Sequence, residues 1–394
     1  MKEKLELYLH IPFCVRKCAY CDFLSGPSDE KMRQEYVDAL CREIRLFGGR
    51  FQNNSVNTVY MGGGTPSILT SRQIEDIFQV LRENFKIEEN AEITIEANPG
   101  TVSTEKLESW KCAGINRVSI GLQSADDDEL KMLGRIHDYS QFLDTWEKIR
   151  KAGFENVNID LISAIPGQTL ESWRKTLCTV AELNPEHLSS YSLIIEEGTP
   201  FYEHYGQEDD SAHKKEREPD LAGNFLPLPD EDTERLIYEE TEEILRKYGY
   251  RRYEISNYAK EGFECRHNIG YWRRTQYLGL GLGASSFLQK QRFHNTENYH
   301  EYIESVRQGS LIREDLEILS MKDEMAEFMF LGLRLTEGVR RSAFNKSFGK
   351  TMEEVYGLAL QKLLQQRLIE ADGDFVRLTK RGIDISNYVF GHFI

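Results

Sequence analysis

Long apolar runs are missing from this chain of 394 residues. No stretch of about 18 apolar residues occurs, so no segment is predicted to cross a membrane as a helix. The first residues, from Met1 to Glu6, lack the apolar region and the small-residue cleavage site of a secretory signal. We therefore expect a cytoplasmic protein without an integral membrane segment.

Positive charge is also in short supply. Lys and Arg together number 49, against 65 Asp and Glu, which gives a formal net charge of −16. Such a chain repels phosphate backbones, and no long Lys or Arg run offsets the repulsion. We therefore expect no nucleic-acid partner.

Cysteine is sparse: the chain has seven, an odd number. An odd count in a cytosolic chain argues against a disulfide framework. Three of the seven, Cys14, Cys18 and Cys21, lie within eight residues, and the other four are scattered. This clustering predicts metal chemistry.

The first half of the chain repeats a strand–helix rhythm. Leu5, Leu7, Leu9 and Ile11 alternate with polar residues, as in a strand. Further strands are predicted near 58–61, 91–97, 117–122, 157–162 and 188–195, with helical periodicity between them. Strands that alternate with helices form right-handed βαβ units, so we predict an α/β fold with a partial (β/α)6 barrel. Ligands of such sheets collect at the carboxyl ends of the strands.

The rhythm predicts three regions. Residues 1–235 form the barrel core, with a highly charged insertion near 207–220, and residues 236–309 complete the barrel. Residues 310–394 form a separate, winged-helix-like helical domain, with helices at 317–335 and 352–366 and a short hairpin near 369–379.

The cysteine cluster, Cys14-Val-Arg-Lys-Cys18-Ala-Tyr-Cys21, directly follows the first predicted strand. Three thiolates on one loop can bind three irons of a [4Fe–4S] cubane, which leaves the fourth iron without a protein ligand. Zinc also binds thiolates, but a structural zinc site takes four protein ligands. No fourth Cys or His lies nearby at a suitable spacing. We therefore predict a [4Fe–4S] cluster at Cys14, Cys18 and Cys21.

The pattern Cys-x₃-Cys-x-Tyr-Cys after a first strand resembles the signature of the radical S-adenosylmethionine superfamily. The resemblance implies that the open iron binds the amino and carboxylate groups of S-adenosylmethionine (SAM), and that an electron from the cluster cleaves the sulfonium. The cofactor then carries the chemistry, and the protein positions and shields it. An electron donor is implied as a partner.

Supporting motifs follow in the order that this family has. Gly62-Gly-Gly-Thr-Pro-Ser67 follows the second strand, and the resemblance assigns Gly63, Gly64 and Thr65 to SAM contact, since glycines let a ligand approach the backbone. Polar residues at the later strands and two tyrosines near the cysteines are assigned to the same cofactor. These residues are Glu96, Gln123, Arg135, Asp160, Tyr8 and Tyr20. Taken singly, each is more often an ordinary structural residue.

Over nearly its whole length the chain resembles the oxygen-independent coproporphyrinogen III oxidase-like branch of this superfamily. The shared stretches are Tyr-Leu-His-Ile-Pro-Phe-Cys (8–14), Ile-Pro-Gly-Gln-Thr (165–169), Tyr-Glu-Ile-Ser-Asn-Tyr-Ala (253–259) and Leu-Gly-Leu-Gly-Ala (280–284). The branch contains a dehydrogenase that decarboxylates two propionates of a porphyrinogen. It also contains a group of chaperones that bind haem and pass it on.

Three features favour the haem-chaperone group. The dehydrogenase has a further cysteine where this chain has Phe23, and a longer arm before its first strand. His267-Asn-Ile-Gly-Tyr-Trp272 matches the His-Asn-x-x-Tyr-Trp motif associated with haem binding in the chaperone group. The resemblance implies that His267 is an axial ligand of haem iron. It also implies that Tyr271 and Trp272 offer a flat surface to the porphyrin.

Alternatives stay open at this point. His267, taken alone, is a hydrogen-bonded structural histidine beside a packed aromatic pair. The chain is either a haem chaperone that delivers haem to an acceptor protein or a radical enzyme that acts on an anionic tetrapyrrole. In a third alternative, the cluster is only a structural or regulatory element.

Overall fold

The computed structural model describes residues 4–51, 53–206 and 226–394. The charged insertion predicted near 207–220 lies outside the described residues. The described part contains a 12-stranded mixed sheet and a separate three-stranded sheet near the C-terminus. No helix in these residues is both long enough and apolar enough to cross a membrane.

All six strands predicted in the first half are present, and each is followed by a helix. The strands are β1 (Lys4–Ile11), β2 (Ser55–Gly63), β3 (Ile87–Ala97), β4 (Arg117–Gln123), β5 (Val157–Ser163) and β6 (His187–Ser192). The helices are α1 (Glu30–Gly48), α2 (Ser71–Asn84), α3 (Thr104–Cys112), α4 (Asp127–Met132), α5 (Tyr139–Lys151), α6 (Leu170–Glu182) and α7 (Pro200–Tyr205). The strands pair in parallel and in chain order. The predicted α/β fold with a partial (β/α)6 barrel is confirmed.

The next elements extend this sheet at both edges. They are α8 (Glu231–Lys247), β7 (Arg251–Arg252), β8 (Asn257–Ala259), α9 (Arg266–Trp272), β9 (Tyr277–Leu280), β10 (Ser285–Leu288), β11 (Gln291–Asn295), α10 (Tyr299–Arg307) and β12 (Arg313–Ile318). Strand β8 pairs with β6, and β9 pairs with β1. The outermost strands are β12 and β7. That residues 236–309 complete the barrel stays a prediction.

The C-terminal elements are mainly helical. They are α11 (Met321–Gly332), β13 (Val339–Arg340), α12 (Arg341–Phe348), α13 (Met352–Gln365), β14 (Ile369–Asp372), β15 (Phe375–Leu378), α14 (Lys380–Asp384) and α15 (Ser386–Phe390). The predicted hairpin is β14–β15. The first helix begins at 321, not at 317, because β12 pairs with β11 up to Ile318. These elements enclose a hydrophobic core of their own. The domain division at residue 310 stays a prediction.

Alternation along the strands sets the two faces of the sheet, because successive side chains point to opposite sides. The odd-numbered residues of β1 are fully buried in the main hydrophobic core: Leu5, Leu7, Leu9 and Ile11. The even-numbered Glu6, Tyr8 and His10 lie on the other face. The pattern continues across the sheet, because Glu6 is in register with Thr58, and Thr58 with Glu92. The interior of the partial barrel is therefore lined with polar side chains.

Candidate functional site

The three clustered cysteines lie on the loop that follows β1. Within this loop, Cys14 N donates to Gly26 O (2.9 Å) and Cys21 N donates to Cys18 O (3.3 Å). All three thiols are partly exposed. They line one cavity of about 370 Å³ at the carboxyl ends of the parallel strands.

Two polar side chains donate hydrogen bonds to the cysteine sulfurs. Thr65 Oγ1 donates to Cys14 Sγ (3.4 Å), and Arg135 Nη1 donates to Cys18 Sγ (3.6 Å). The Arg135 guanidinium is itself held by Asn98, whose Oδ1 accepts from Nη2 (2.8 Å). Both bonds place a polar donor against the sulfur of a predicted cluster ligand.

The glycine loop packs directly against the cysteine loop. A Cβ atom at Gly64 would lie 2.6 Å from Phe13 O and 3.0 Å from Cys14 Sγ. Gly63 has a φ of +110°, and a Cβ atom there would lie 2.5 Å from the ring of His10. Only glycine fits at these two positions without a shift of the backbone.

Two half-buried carboxylates line the cavity beside this loop. Glu96 accepts from Tyr60 OH at Oε1 (2.8 Å) and from Gly63 N at Oε2 (3.1 Å). Burial, together with the charge of Asp160, raises the pKa of Glu96 to about 7. Asp160 accepts from Ser119 Oγ (2.9 Å), and burial raises its pKa as well. These oxygens are suitable acceptors for an ammonium group or for hydroxyl groups.

Most of the residues predicted to hold the cluster and SAM meet at this cavity. Those that line it are Cys14, Cys18, Tyr20, Cys21, Gly63, Gly64, Thr65, Glu96, Gln123, Arg135 and Asp160. Tyr8 does not line it, because its hydroxyl lies 3.0 Å from His10 Nδ1 and its ring stacks on Tyr60. Tyr60, Asn98 and Ser119, which the sequence motifs did not predict, also line the cavity.

The sequence contains a pattern that indicates these three additional residues. Tyr60 and Ser119 lie on the polar face of predicted strands, an even number of residues from Gly62 and Gly121. Asn98 directly follows the strand that carries Glu96. Counting alternate positions back from each strand end would have found Tyr60 and Ser119, and reading one residue past the end of β3 would have found Asn98.

The donor set fits a [4Fe–4S] cluster. Three thiols line one cavity, and Gly64 keeps its wall free of side-chain atoms beside Cys14. Among residues 4–51, 53–206 and 226–394, no group of three His, Cys, Asp or Glu side chains is placed to hold a single metal ion. A cubane takes each thiolate on a different iron, so its ligands need not converge on one point. The arrangement therefore suits a cluster better than one zinc ion.

Helix α9 carries the histidine motif and lies against the polar interior of the barrel. His267 is 1% exposed. Its Nδ1 lies 2.7 Å from Thr58 Oγ1 and its Nε2 lies 2.9 Å from Tyr271 OH. Its ring stacks on Tyr60, with centroids 5.2 Å apart. Burial lowers the pKa of His267 to about 3, so the ring is neutral.

Glu92 fixes the first turn of α9. Its Oε2 accepts from Arg266 N (3.0 Å), and its Oε1 accepts from His267 N (3.1 Å) and from Cys265 Sγ (3.5 Å). Cys265 is fully buried, which raises the pKa of its thiol to about 12. One carboxylate on β3 therefore anchors the start of the motif to the sheet.

Residues that follow the barrel cover the other end of the motif. The guanidinium of Arg334, between α11 and β13, lies 4.4 Å from the Trp272 ring centroid. Arg274 forms an ion pair with Glu327 of α11 (2.9 Å). In this conformation, the contacts of the motif are those of a structural histidine beside packed aromatic rings. The assignment of His267, Tyr271 and Trp272 to haem stays a prediction.

Comparison with known proteins places the chain in a family. The Radical SAM superfamily model matches residues 8–178, and the HemN C-terminal domain model matches residues 319–385. The haem chaperone HemW of Lactococcus lactis is 37% identical over 394 residues, which cover 100% of this chain and 98% of that protein. The HemW of Bacillus subtilis is 34% identical, with 98% of each chain covered. The chain belongs to the HemW family of radical SAM proteins. The predicted resemblance is confirmed.

The similarity extends to a solved structure over the whole chain. Coproporphyrinogen III oxidase (HemN) from Escherichia coli, described as a radical SAM enzyme, superposes with a TM-score of 0.83 at 26% identity. The match covers 100% of this chain and 90% of that protein. The radical SAM model spans the cysteine and glycine loops, and the HemN C-terminal model spans Arg334. Membership of this family implies a [4Fe–4S] cluster and SAM.

Proposed function

We propose that this protein is a cytoplasmic chaperone that binds haem and transfers it to an acceptor protein. It also carries a [4Fe–4S] cluster with SAM at the open iron. The proposal rests on the similarity, over the whole chain, to proteins named haem chaperone HemW. The motif from His267 to Trp272 and the presence of Phe23 in place of a further cysteine agree with it.

The proposed cofactor roles follow from the contacts at the cavity. Cys14, Cys18 and Cys21 hold the cluster, which in this superfamily supplies the electron that cleaves SAM. Arg135 stabilises the charge at Cys18 through its hydrogen bond. Glu96 accepts a hydrogen bond from the SAM ammonium group or from a ribose hydroxyl. An electron donor is the further partner that this chemistry needs.

Haem binding at α9 requires the side chains of this helix to give up contacts within the protein in exchange for contacts with haem. His267 has to give up the hydrogen bond to Thr58 or to Tyr271 before a ring nitrogen can bind iron. Trp272 has to leave Arg334 before it can stack on a porphyrin. A hydrogen bond contributes about 0.5–1.5 kcal/mol to stability and a cation–π contact about 0.5–2 kcal/mol, a cost that one iron–imidazole bond and porphyrin burial can offset. We therefore propose that α9 is closed here and open when haem is bound.

A haem titration of wild type and His267→Ala tests this proposal. His187→Ala is the matched control, because His187 is equally buried and lies 2.6 Å from Asn158 Oδ1 and 2.8 Å from Tyr253 OH. We expect at least about tenfold weaker haem binding in His267→Ala, equivalent to about 1.4 kcal/mol, and wild-type binding in His187→Ala. Unchanged affinity and an unchanged absorption spectrum in His267→Ala would show that His267 is not the axial ligand.

Transfer is tested with haem-loaded protein and an apo haem protein as acceptor. We expect the haem spectrum to move to the acceptor faster than free haem loss from the donor allows. A transfer rate equal to the spontaneous loss rate would reduce the proposal to haem storage.

The similarity to HemN supports a second candidate, a radical enzyme that decarboxylates a porphyrinogen. Anaerobically reduced protein with SAM and coproporphyrinogen III distinguishes the two. We expect no decarboxylated product from protein with an intact cluster. SAM-dependent product would make this chain an enzyme of tetrapyrrole synthesis.

A further inference from the structure

One half-buried tyrosine, Tyr60, connects the cofactor cavity with helix α9. Tyr60 lies on β2 and lines the cavity. Its hydroxyl donates to Glu96 Oε1 (2.8 Å), and its ring stacks on the ring of His267 at an interplanar angle of 24°. The other Glu96 oxygen accepts from Gly63 N of the glycine loop. The hydroxyl of Tyr60 therefore contacts the proposed SAM site, and its ring contacts the proposed haem site.

Two further groups pack against the Tyr60 ring. The ring of Tyr8 stacks beside it at 6.4 Å. A Cβ atom at Gly62 would lie 2.9 Å from Tyr60 Cε1, so this glycine lets the ring pack against the backbone. Because the surroundings are close-packed, departure of His267 would remove one wall of the space that holds Tyr60.

The charge of Glu96 determines whether SAM binding strengthens or weakens the contact between Tyr60 and His267. An ionised carboxylate accepts a stronger hydrogen bond than a neutral carboxyl group. When the SAM ammonium group meets Glu96, the carboxylate is ionised and holds the Tyr60 hydroxyl more tightly, which fixes the ring against His267. When α9 opens, Tyr60 loses its stacking partner, and Glu96 loses a fixed hydrogen-bond donor.

We propose that Tyr60 couples the two sites negatively, so that SAM bound at Glu96 holds α9 closed and haem bound at His267 weakens SAM binding. This inference rests on the proposed function. Because coupling between binding equilibria is reciprocal, SAM weakens haem binding by the same factor as haem weakens SAM binding.

The experiment measures both affinities in anaerobically reconstituted holoprotein. The SAM dissociation constant is determined with and without saturating haem, and the haem dissociation constant with and without saturating SAM. We expect each ligand to raise the dissociation constant of the other by at least about fivefold. Absence of haem binding would contradict the proposed function. Haem binding that leaves the SAM affinity unchanged would contradict the coupling alone.

Tyr60→Phe tests whether the coupling passes through Tyr60, because it keeps the ring and its stacking but removes the hydroxyl. We expect the coupling factor to fall to about one. Tyr302→Phe is the matched control, because it also removes a tyrosine hydroxyl that donates to a carboxylate, that of Glu43 (2.7 Å), outside the cavity lining and α9. This control should keep the wild-type factor.

A wild-type coupling factor in Tyr60→Phe would overturn the assignment to Tyr60. If that variant does not fold, Glu96→Gln tests the same link, since an amide cannot ionise. Its haem affinity should then be the same with and without saturating SAM. An undiminished effect of SAM would overturn the proposal.

Discussion

The two ends of the polar barrel interior differ in whether their hydrogen-bonded side chains surround an open cavity or are buried. At the carboxyl ends of the strands, a cavity stays open although its groups are fixed, as Arg135 is by Asn98 and by the carbonyl of Gly121. At α9, the equally polar His267 has both ring nitrogens engaged and is almost fully buried.

Under the proposed function, this difference separates a preformed cofactor site from a haem site that has to open. Fixed groups around an open cavity bind a ligand without reorganisation, which favours affinity. A closed segment reduces the apparent affinity by the fraction of molecules that are open. The cofactor end is therefore expected to tolerate little change, whereas the α9 end is expected to respond to variants that shift its opening.

The largest expected effect comes from removing a predicted cluster ligand. Cys18→Ala should abolish iron incorporation and SAM binding, because a cubane held by two thiolates is left with two open irons. Haem binding, measured without SAM, should persist because α9 is untouched. Iron analysis and absorption spectra check this, with the exposed Cys112→Ala as control. Joint loss of haem binding would show that the two ends are not separable.

The next largest effect is expected at the glycine loop. In Gly64→Ala the added Cβ atom would meet Phe13 O at 2.6 Å, so the two loops must separate. Overpacking of this kind costs about 1–3 kcal/mol, and we expect at least about tenfold weaker SAM binding. Gly26→Ala, in the cysteine loop but with no atom within 4 Å of the added Cβ, should bind normally. Normal SAM affinity in Gly64→Ala would argue against the preformed site.

A variant that opens α9 is expected to have an intermediate effect. It should favour haem binding, whereas the two preceding variants weaken cofactor binding. Glu92→Ala removes the acceptor of Arg266 N and His267 N, which should lower the free energy of unfolding by about 1–3 kcal/mol. It should also accelerate haem association, measured by stopped-flow absorption. Glu186→Ala is the control, because Glu186 accepts from Val157 N (3.1 Å) elsewhere in the barrel. Equal or slower association than in this control would contradict the closed state of α9.

The smallest expected effect is a pH dependence at the cofactor end. The pKa of Glu96 is about 7 in the folded protein, above its ordinary value of 4.5, chiefly through burial and then through Asp160. The stability that this group contributes is therefore present below pH 4.5 and lost as pH rises toward 7. SAM, as a cation at its amino group, should conversely bind more tightly as pH rises through about 7. Calorimetric titration checks this, and a pH profile of Glu96→Gln as steep as that of wild type would assign the dependence to another group.

Much of the cofactor end was predictable from the sequence. The cysteine and glycine loops are contiguous motifs at strand ends, and parallel strands bring their carboxyl ends together. The α9 end was not predictable, because the hydrogen bond between Thr58 and His267 joins positions 209 residues apart. Which wall of the barrel α9 packs against depends on the strand register and on contacts with α11, and local patterns encode neither.

Strand β2 sets the spacing of the whole arrangement. Thr58, Tyr60 and Gly62 follow one another at two-residue steps, and a strand rises about 3.3 Å per residue. Thr58, which contacts His267, and Gly62, where the glycine loop begins, are thus separated by about 13 Å along the strand. A single-residue insertion or deletion between them would turn one set of side chains out of the barrel. Length changes in this family are therefore expected in loops, and β2 should keep a fixed length wherever both sites are retained.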